Sequence, residues 1–324
     1  MIWLSWRLHR AAVFTFMVVI GGLAAVYLVD SIRLHDVYTA SGLAQCIGAL
    51  DNPSCAARQE VFLVYDVGWV QYTGYVVVVA SAALGAFLGA PLVSTEFERG
   101  TWQWVWAQRI SRTRWLAINV AVLAVIVAAF GATLGAAYTW WNRPVAALTG
   151  PFTYAASFDN TPLLCAVYSV FAFALGVAAS AFLRRTLAAM GATVAAFLAV
   201  RFAVVSWLRP HYMTPIVFES PANEAGRPLT FDRRDWDFYG SWVDAAGHKV
   251  SSADVSRLTS SDLNPAATGH QWYEVLQQNG IHYYDQTQPY QRAGAFQLIE
   301  AGVFLVLIAL CGALAFWRTR RRTG

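Results

Sequence analysis

Apolar positions fall into six continuous runs, at 11–29, 68–93, 115–141, 163–182, 187–208 and 296–316. At about 1.5 Å per residue each run is long enough to cross a hydrocarbon layer of roughly 30 Å. The pattern predicts an all-α polytopic membrane protein with six transmembrane helices. Arg7 and Arg10 precede the first run as they would in a signal peptide. Its apolar core is too long for one, and no small-x-small cleavage site closes it, so a retained span is expected.

Composition points the same way: 57% of the 324 residues are hydrophobic, 13% are charged and the mean hydropathy is +0.43. That balance leaves too little polar surface to cover a soluble globule of this size. Charge then sets the orientation, because basic residues in short loops stay on the cytoplasmic side. With both termini inside (N-in/C-in), the inner segments hold twelve arginines against only Glu96 and Glu98. The short outer loops hold Arg33, Arg58 and Arg143, and the long segment 209–295 has seven basic against ten acidic residues. The expected location is the cell inner (cytoplasmic) membrane. The expected organisation is 1–208 for helices 1–5 with an N-terminal helix and an inner loop at 94–114, 209–295 for a small mixed α/β extracellular domain, and 296–324 for helix 6 and a basic tail.

Within 209–295, the alternation of Trp236, Phe238, Gly240 and Trp242 before a turn at 244–247 and a return through Val250 reads as a hairpin. Residues 269–278, stopped by Asn279 and Gly280, read as a short helix.

Several chemistries are excluded. The only lysine, Lys249, follows His248 rather than a glycine, so the chain has no P-loop of its own. None of the six histidines forms a zincin pattern or neighbours a cysteine pair, and no G-x-S-x-G occurs. Neither a catalytic residue nor a metal site is expected, and no cofactor bound by this chain. Asp66, Asp159 and Glu219 form no evident set. Arg318 to Arg322, directly after a span, read as a lipid-headgroup anchor and not as a nucleic-acid site.

The inner loop between helices 2 and 3 carries the most information. Ser94 or Thr95 can cap a short helix with Glu96 and Glu98 in its first turn. Trp102, Trp106 and Ile110 then form one apolar stripe suited to the membrane interface. Taken alone, this is an ordinary cytoplasmic loop with interfacial tryptophans.

Four pieces together change that reading. They are Trp3-Leu-Ser-Trp-Arg-Leu-His-Arg10, then Glu96-Phe-Glu-Arg-Gly-Thr101 with Thr113-Arg-Trp115, then Arg209-Pro-His-Tyr-Met-Thr-Pro215, and Gln297 with Glu300. In this order along the whole chain they resemble the permease subunits of ABC-2 type transporters, in particular the actinobacterial form. The run Ala107-Gln108-Arg109-Ile110 departs from that pattern.

The resemblance implies an ATPase-coupling element at Glu96, Phe97, Glu98, Arg99, Gly100 and Thr101. It implies a connecting helix on the inner leaflet with Trp3 and Trp6 towards lipid and Arg7 and Arg10 towards water. It implies as partners a separate ABC ATPase subunit carrying MgATP, a second permease copy (a homodimer or a related permease) and membrane lipids, with no nucleic acid.

Two charges fall inside predicted spans, where each costs about 3 kcal/mol at the bilayer centre unless paired or snorkelling. Arg201 and Glu300 lie at similar depth on consecutive helices. Either they pair, or Arg201 reaches the outer headgroups while Glu300 faces water. Cys46 and Cys55 flank the turn-forming Asn52-Pro53 in an outer loop and are expected to form a disulfide. Ser81, Gly85 and Gly89, and Gly131 with Gly135, give helix faces that allow close backbone approach, within one chain or between subunits.

These readings favour the membrane subunit of an ATP-driven exporter. A membrane sensor or assembly factor with a ligand-binding outer domain is the alternative, and a lipid-modifying enzyme the third. The few polar groups in the helices lean towards amphipathic cargo.

Overall fold

A computed structural model of the protein describes residues 2–47, 52–66, 70–98, 112–152, 155–221, 234–262 and 275–321. Its first helix, α1, runs Ile2–Ala40 without a break. There follow α2 at Pro53–Val61, α3 at Val70–Leu84, α4 at Pro91–Glu98 and α5 at Arg112–Trp141. Two short helices, α6 at Arg143–Thr149 and α7 at Ala155–Asp159, precede α8 at Pro162–Leu183 and α9 at Thr186–Ala203. The last long helix, α11, is Ala293–Arg321, after α10 at Ser252–Asp262.

Among the described residues six helices are long and apolar enough to cross a membrane: His9–Ala40, Tyr72–Thr95, Leu116–Trp141, Pro162–Leu183, Thr186–His211 and Tyr290–Arg320. Four of them extend past both ends of the apolar run that announces them, Tyr72–Thr95 starts inside its run and passes only the far end, and Leu116–Trp141 lies within its run. The first extends furthest, because helical geometry tolerates the polar residues Asp30, Arg33, His35 and Asp36 that end the hydrophobic run. The span Pro162–Leu183 is the central one, with 72% of its apolar window buried against α3, α5, α9 and α11.

Small residues explain how backbones crowd around α8. A Cβ on Gly85 would collide with the backbone of Ala172, and one on Gly131 with that of Cys165. Gly176 faces Gly85, Gly89 and Ala90 in turn. The four-residue spacing on the second and third spans therefore serves packing within the chain. In lipid, where apolar burial between helices offers little drive, such close approach is what dispersion and weak polar contacts need.

Between α9 and α11 lies a four-stranded antiparallel sheet ordered β1-β4-β2-β3. The strands are β1 at Ile216–Pro221, β2 at Trp236–Val243, β3 at Lys249–Val250 and β4 at His282–Gln288. Strands β2 and β3 form a hairpin in which Trp242 pairs with Val250. The turn is closed by Asp244, whose carboxylate accepts from the Ala246 and His248 N–H groups. Of the helix expected at 269–278, residues 275–278 are helical and end at Gly280, whose φ of 67° suits glycine. Residues 269–274 lie outside the described residues.

Candidate functional site: a buried ionic core and a tied elbow

Two polar constructions stand out from the apolar bundle. The first joins spans four, five and six. Arg201 on α9 donates to Glu300 Oε1 at 2.9 Å and to Asp159 Oδ2 at 2.5 Å. Arg209, on the helical turns that continue α9, donates to Asp159 Oδ1 at 2.6 Å and to both Glu300 oxygens at 2.8 and 2.9 Å. Tyr168 adds a hydroxyl donor to Glu300 at 2.6 Å.

The four ionic residues are between 0% and 5% exposed, and two positive charges meet two negative ones. Such a neutral set offsets desolvation costs that an isolated buried charge could not. Aromatic faces complete the shell: Arg201 lies 4.0 Å over Tyr168 and Arg209 lies 4.2 Å over Phe158. Phe152, stacked between Phe158 and Trp236 of β2, and Phe296 of α11 separate the cluster from the sheet side.

Thus Arg201 meets Glu300 in a larger group than a pair. Asp159 and Arg209, which in the sequence resemble ordinary residues of a span boundary, are half of it. Asp159 joins Glu300 as the second carboxylate of this group, and Arg209 is a buried partner, not a loop charge. The signal that could have found them is position: Asp159 immediately precedes the fourth span, and Arg209 stands eight residues, about two helical turns, beyond Arg201.

The second construction is at the opposite end of α9. The expected capping of a short helix by Ser94 or Thr95 is corrected: α4 starts at Pro91, a residue preset for a first helical turn. Ser94 and Thr95 are therefore interior, and their hydroxyls donate back to the Ala90 and Pro91 carbonyls. Glu98 lies about two turns beyond the start of α4 and not in its first turn, so it gains little from the N-terminal dipole of its own helix.

It is matched to another helix. Glu98 Oε1 accepts the backbone N–H of Thr186, the first residue of α9, at 2.7 Å, and Oε2 accepts the Thr186 hydroxyl at 2.8 Å. Those hydrogen bonds, with the nearby Arg185, hold the Glu98 carboxyl below the usual range although it is exposed. Ser94 Oγ, 2.9 Å from Thr186 Oγ1, joins the same knot.

Of the other expected coupling residues, Glu96 and Phe97 lie in α4, while Arg99, Gly100 and Thr101 lie outside the described residues. Trp3, Trp6, Arg7 and Arg10 are all in α1, with Arg7 and Arg10 exposed. Cys46 and Cys55 are disulfide-bonded, with Cα atoms 5.6 Å apart. Cys165 and Cys311 are free and buried. Among the described residues no group of three or more His, Cys, Asp or Glu side chains is placed to hold a metal ion.

Six apolar helices around a charged, enclosed knot define a multi-pass membrane protein. The ABC-2 membrane transporter related family matches residues 17–209, more than half of the chain, and the protein belongs to that family. No curated protein and no solved structure matches it.

Proposed function

We propose that the chain is the membrane-spanning subunit of an ATP-driven exporter, paired with a second permease and served by separate ATPase subunits at the inner loop. Both termini and the 94–114 loop face the cytoplasm in this reading, in the inner membrane, and the sheet faces outward as part of an extracellular 209–295 domain. Family membership supports the permease role. The observation that carries the coupling is the Glu98–Thr186 tie, since a push on the elbow reaches α9 through two charge-assisted hydrogen bonds.

From Thr186 to Arg201 is about 22 Å along the helix. A displaced elbow would therefore act on a rod whose far end is held by the ionic core. Glu96, Phe97, Arg99, Gly100 and Thr101 would supply the contact surface for the ATPase, and the residues around Trp3 and Trp6 would rest on the inner leaflet. This chain contributes the path and the lever, and hydrolysis of MgATP happens in the partner.

The test is to look for a P-loop ATPase without membrane spans in the adjacent reading frame and to co-express the chain with it. The two should co-purify, and substrate-stimulated hydrolysis should fall in Glu98→Ala while the complex still forms. Failure of any ATPase to co-purify, or a reporter at residue 100 that is active outside the cell, would remove this reading.

A further inference from the structure

At the end of α1 opposite the chain's start, an open groove of about 260 Å³ is lined by Val37, Ser41, Ala57, Arg58, Val61 and Phe62. Its frame is rigid by construction. The Cys46–Cys55 disulfide closes the loop between α1 and α2, Asn52 caps α2 by accepting from the Ser54 N–H, and Phe62, 1% exposed, packs on Tyr38 at 6.0 Å.

The location makes an apolar groove unexpected. Asp30, Arg33, His35 and Asp36 form a polar belt on α1, and Trp141 donates to Asp30 at 2.8 Å. Tryptophans and charges of this kind mark the headgroup level. Val37 lies eight residues beyond the end of the first apolar run at residue 29, about 12 Å further along the helix. Val61 in its lining and Val64 beside it are left 55% and 58% exposed.

The lining also specifies what fits. A slender volume just under the range usual for drug-sized ligands suits a flexible chain better than a ring system. The lining is almost wholly apolar and Ser41 spends its hydroxyl proton on the Tyr38 carbonyl, so the exposed Arg58 that borders the groove is the cationic donor beside it. Among the described residues no carboxylate forms an ion pair with Arg58. Its fork of N–H groups matches a carboxylate or phosphate.

We propose that this groove holds the acyl chain of a single-chain acidic amphiphile lifted from the adjacent leaflet, with its anionic head on Arg58. The site goes beyond the export reading and gives a lipid-like molecule a resting place at the membrane edge.

The test uses the full chain in phosphatidylcholine nanodiscs with a diazirine-bearing palmitic acid, followed by peptide mapping. Saturable labelling of the 37–62 region is expected, displaced by palmitic acid at concentrations about tenfold lower than by its methyl ester. Ala57→Trp, which fills the groove, and Arg58→Gln should each reduce that labelling about tenfold. Buried Cys165 and Cys311 that stay unreactive towards maleimide until denaturant is added show that each variant is folded, and Val61→Trp replaces Ala57→Trp if the latter fails this control. Labelling confined to the membrane-embedded helices, labelling undiminished by the tryptophan, or equal competition by acid and ester would overturn the proposal. No ATPase takes part, so a failed transport assay leaves this result standing.

Discussion

Glu300 has no exposed surface and accepts from two arginines and two tyrosines, Tyr212 being the more distant at 3.4 Å. Removing it leaves Arg201 and Arg209 with one carboxylate between them. Loss of one partner of a buried ion pair typically costs about 3–5 kcal/mol. Glu300→Ala should therefore lower the unfolding midpoint in detergent markedly, and Glu300→Ala with Arg201→Met should recover part of the loss. A double variant as unstable as the sum of the singles would show that the two residues do not act together.

Glu98 behaves differently because water reaches it. Its lowered carboxyl means that its hydrogen bonds contribute fully above the ordinary glutamate value of 4.5 and fade only as pH falls through the lowered folded value. Between pH 6 and 8 the tie is thus expected to be constant. In Glu98→Gln, amide exchange at 186–189 should speed up at neutral pH, and unchanged exchange there would show that the tie does not hold the helix end.

At the level of elements, the helices follow from the apolar runs, whereas the packing depends on the small residues. Gly85→Ala would press a methyl group into the Ala172 backbone, with overpacking expected to cost about 1–3 kcal/mol. Gly191→Ala, with open space around it, should be neutral or mildly stabilising. Thermal unfolding of the two variants side by side checks the contrast.

The same distinction explains what could be read from the chain. Six runs and their glycine faces are local patterns, and so is the Cys46 and Cys55 pair. The ionic core is not local. Asp159 and Arg209 are brought together across 50 positions, and nothing in the residues beside them marks them as buried. Glu98 was legible as a helix-terminal carboxylate, yet the terminus it serves is 88 residues away. Arg184 adds a further case: it holds a φ of 56° at the end of α8, a conformation favoured by glycine, so spans four and five are joined by a tight two-residue link.

For the whole molecule, α9 connects the two polar constructions. Its first residue is held by Glu98 and its far end by Asp159 and Glu300. If the helix moves as a rod, weakening either end should alter the other. Glu300→Gln, which keeps the shape but removes the charge, should change the exchange of the 186–189 amides as well as lowering stability. Exchange unaltered in that variant would mean that the two ends are mechanically independent.

The carboxylate that completes the knot also sits on the sixth span, 91 residues after Arg209. While a ribosome is still making the final quarter of the chain, Arg201 and Arg209 have only Asp159 for company, and one excess positive charge waits at the edge of the lipid. A nascent protein halted before its sixth helix would display that unmatched cation to the cell's proteases. Closure of the knot therefore waits until translation has passed Glu300.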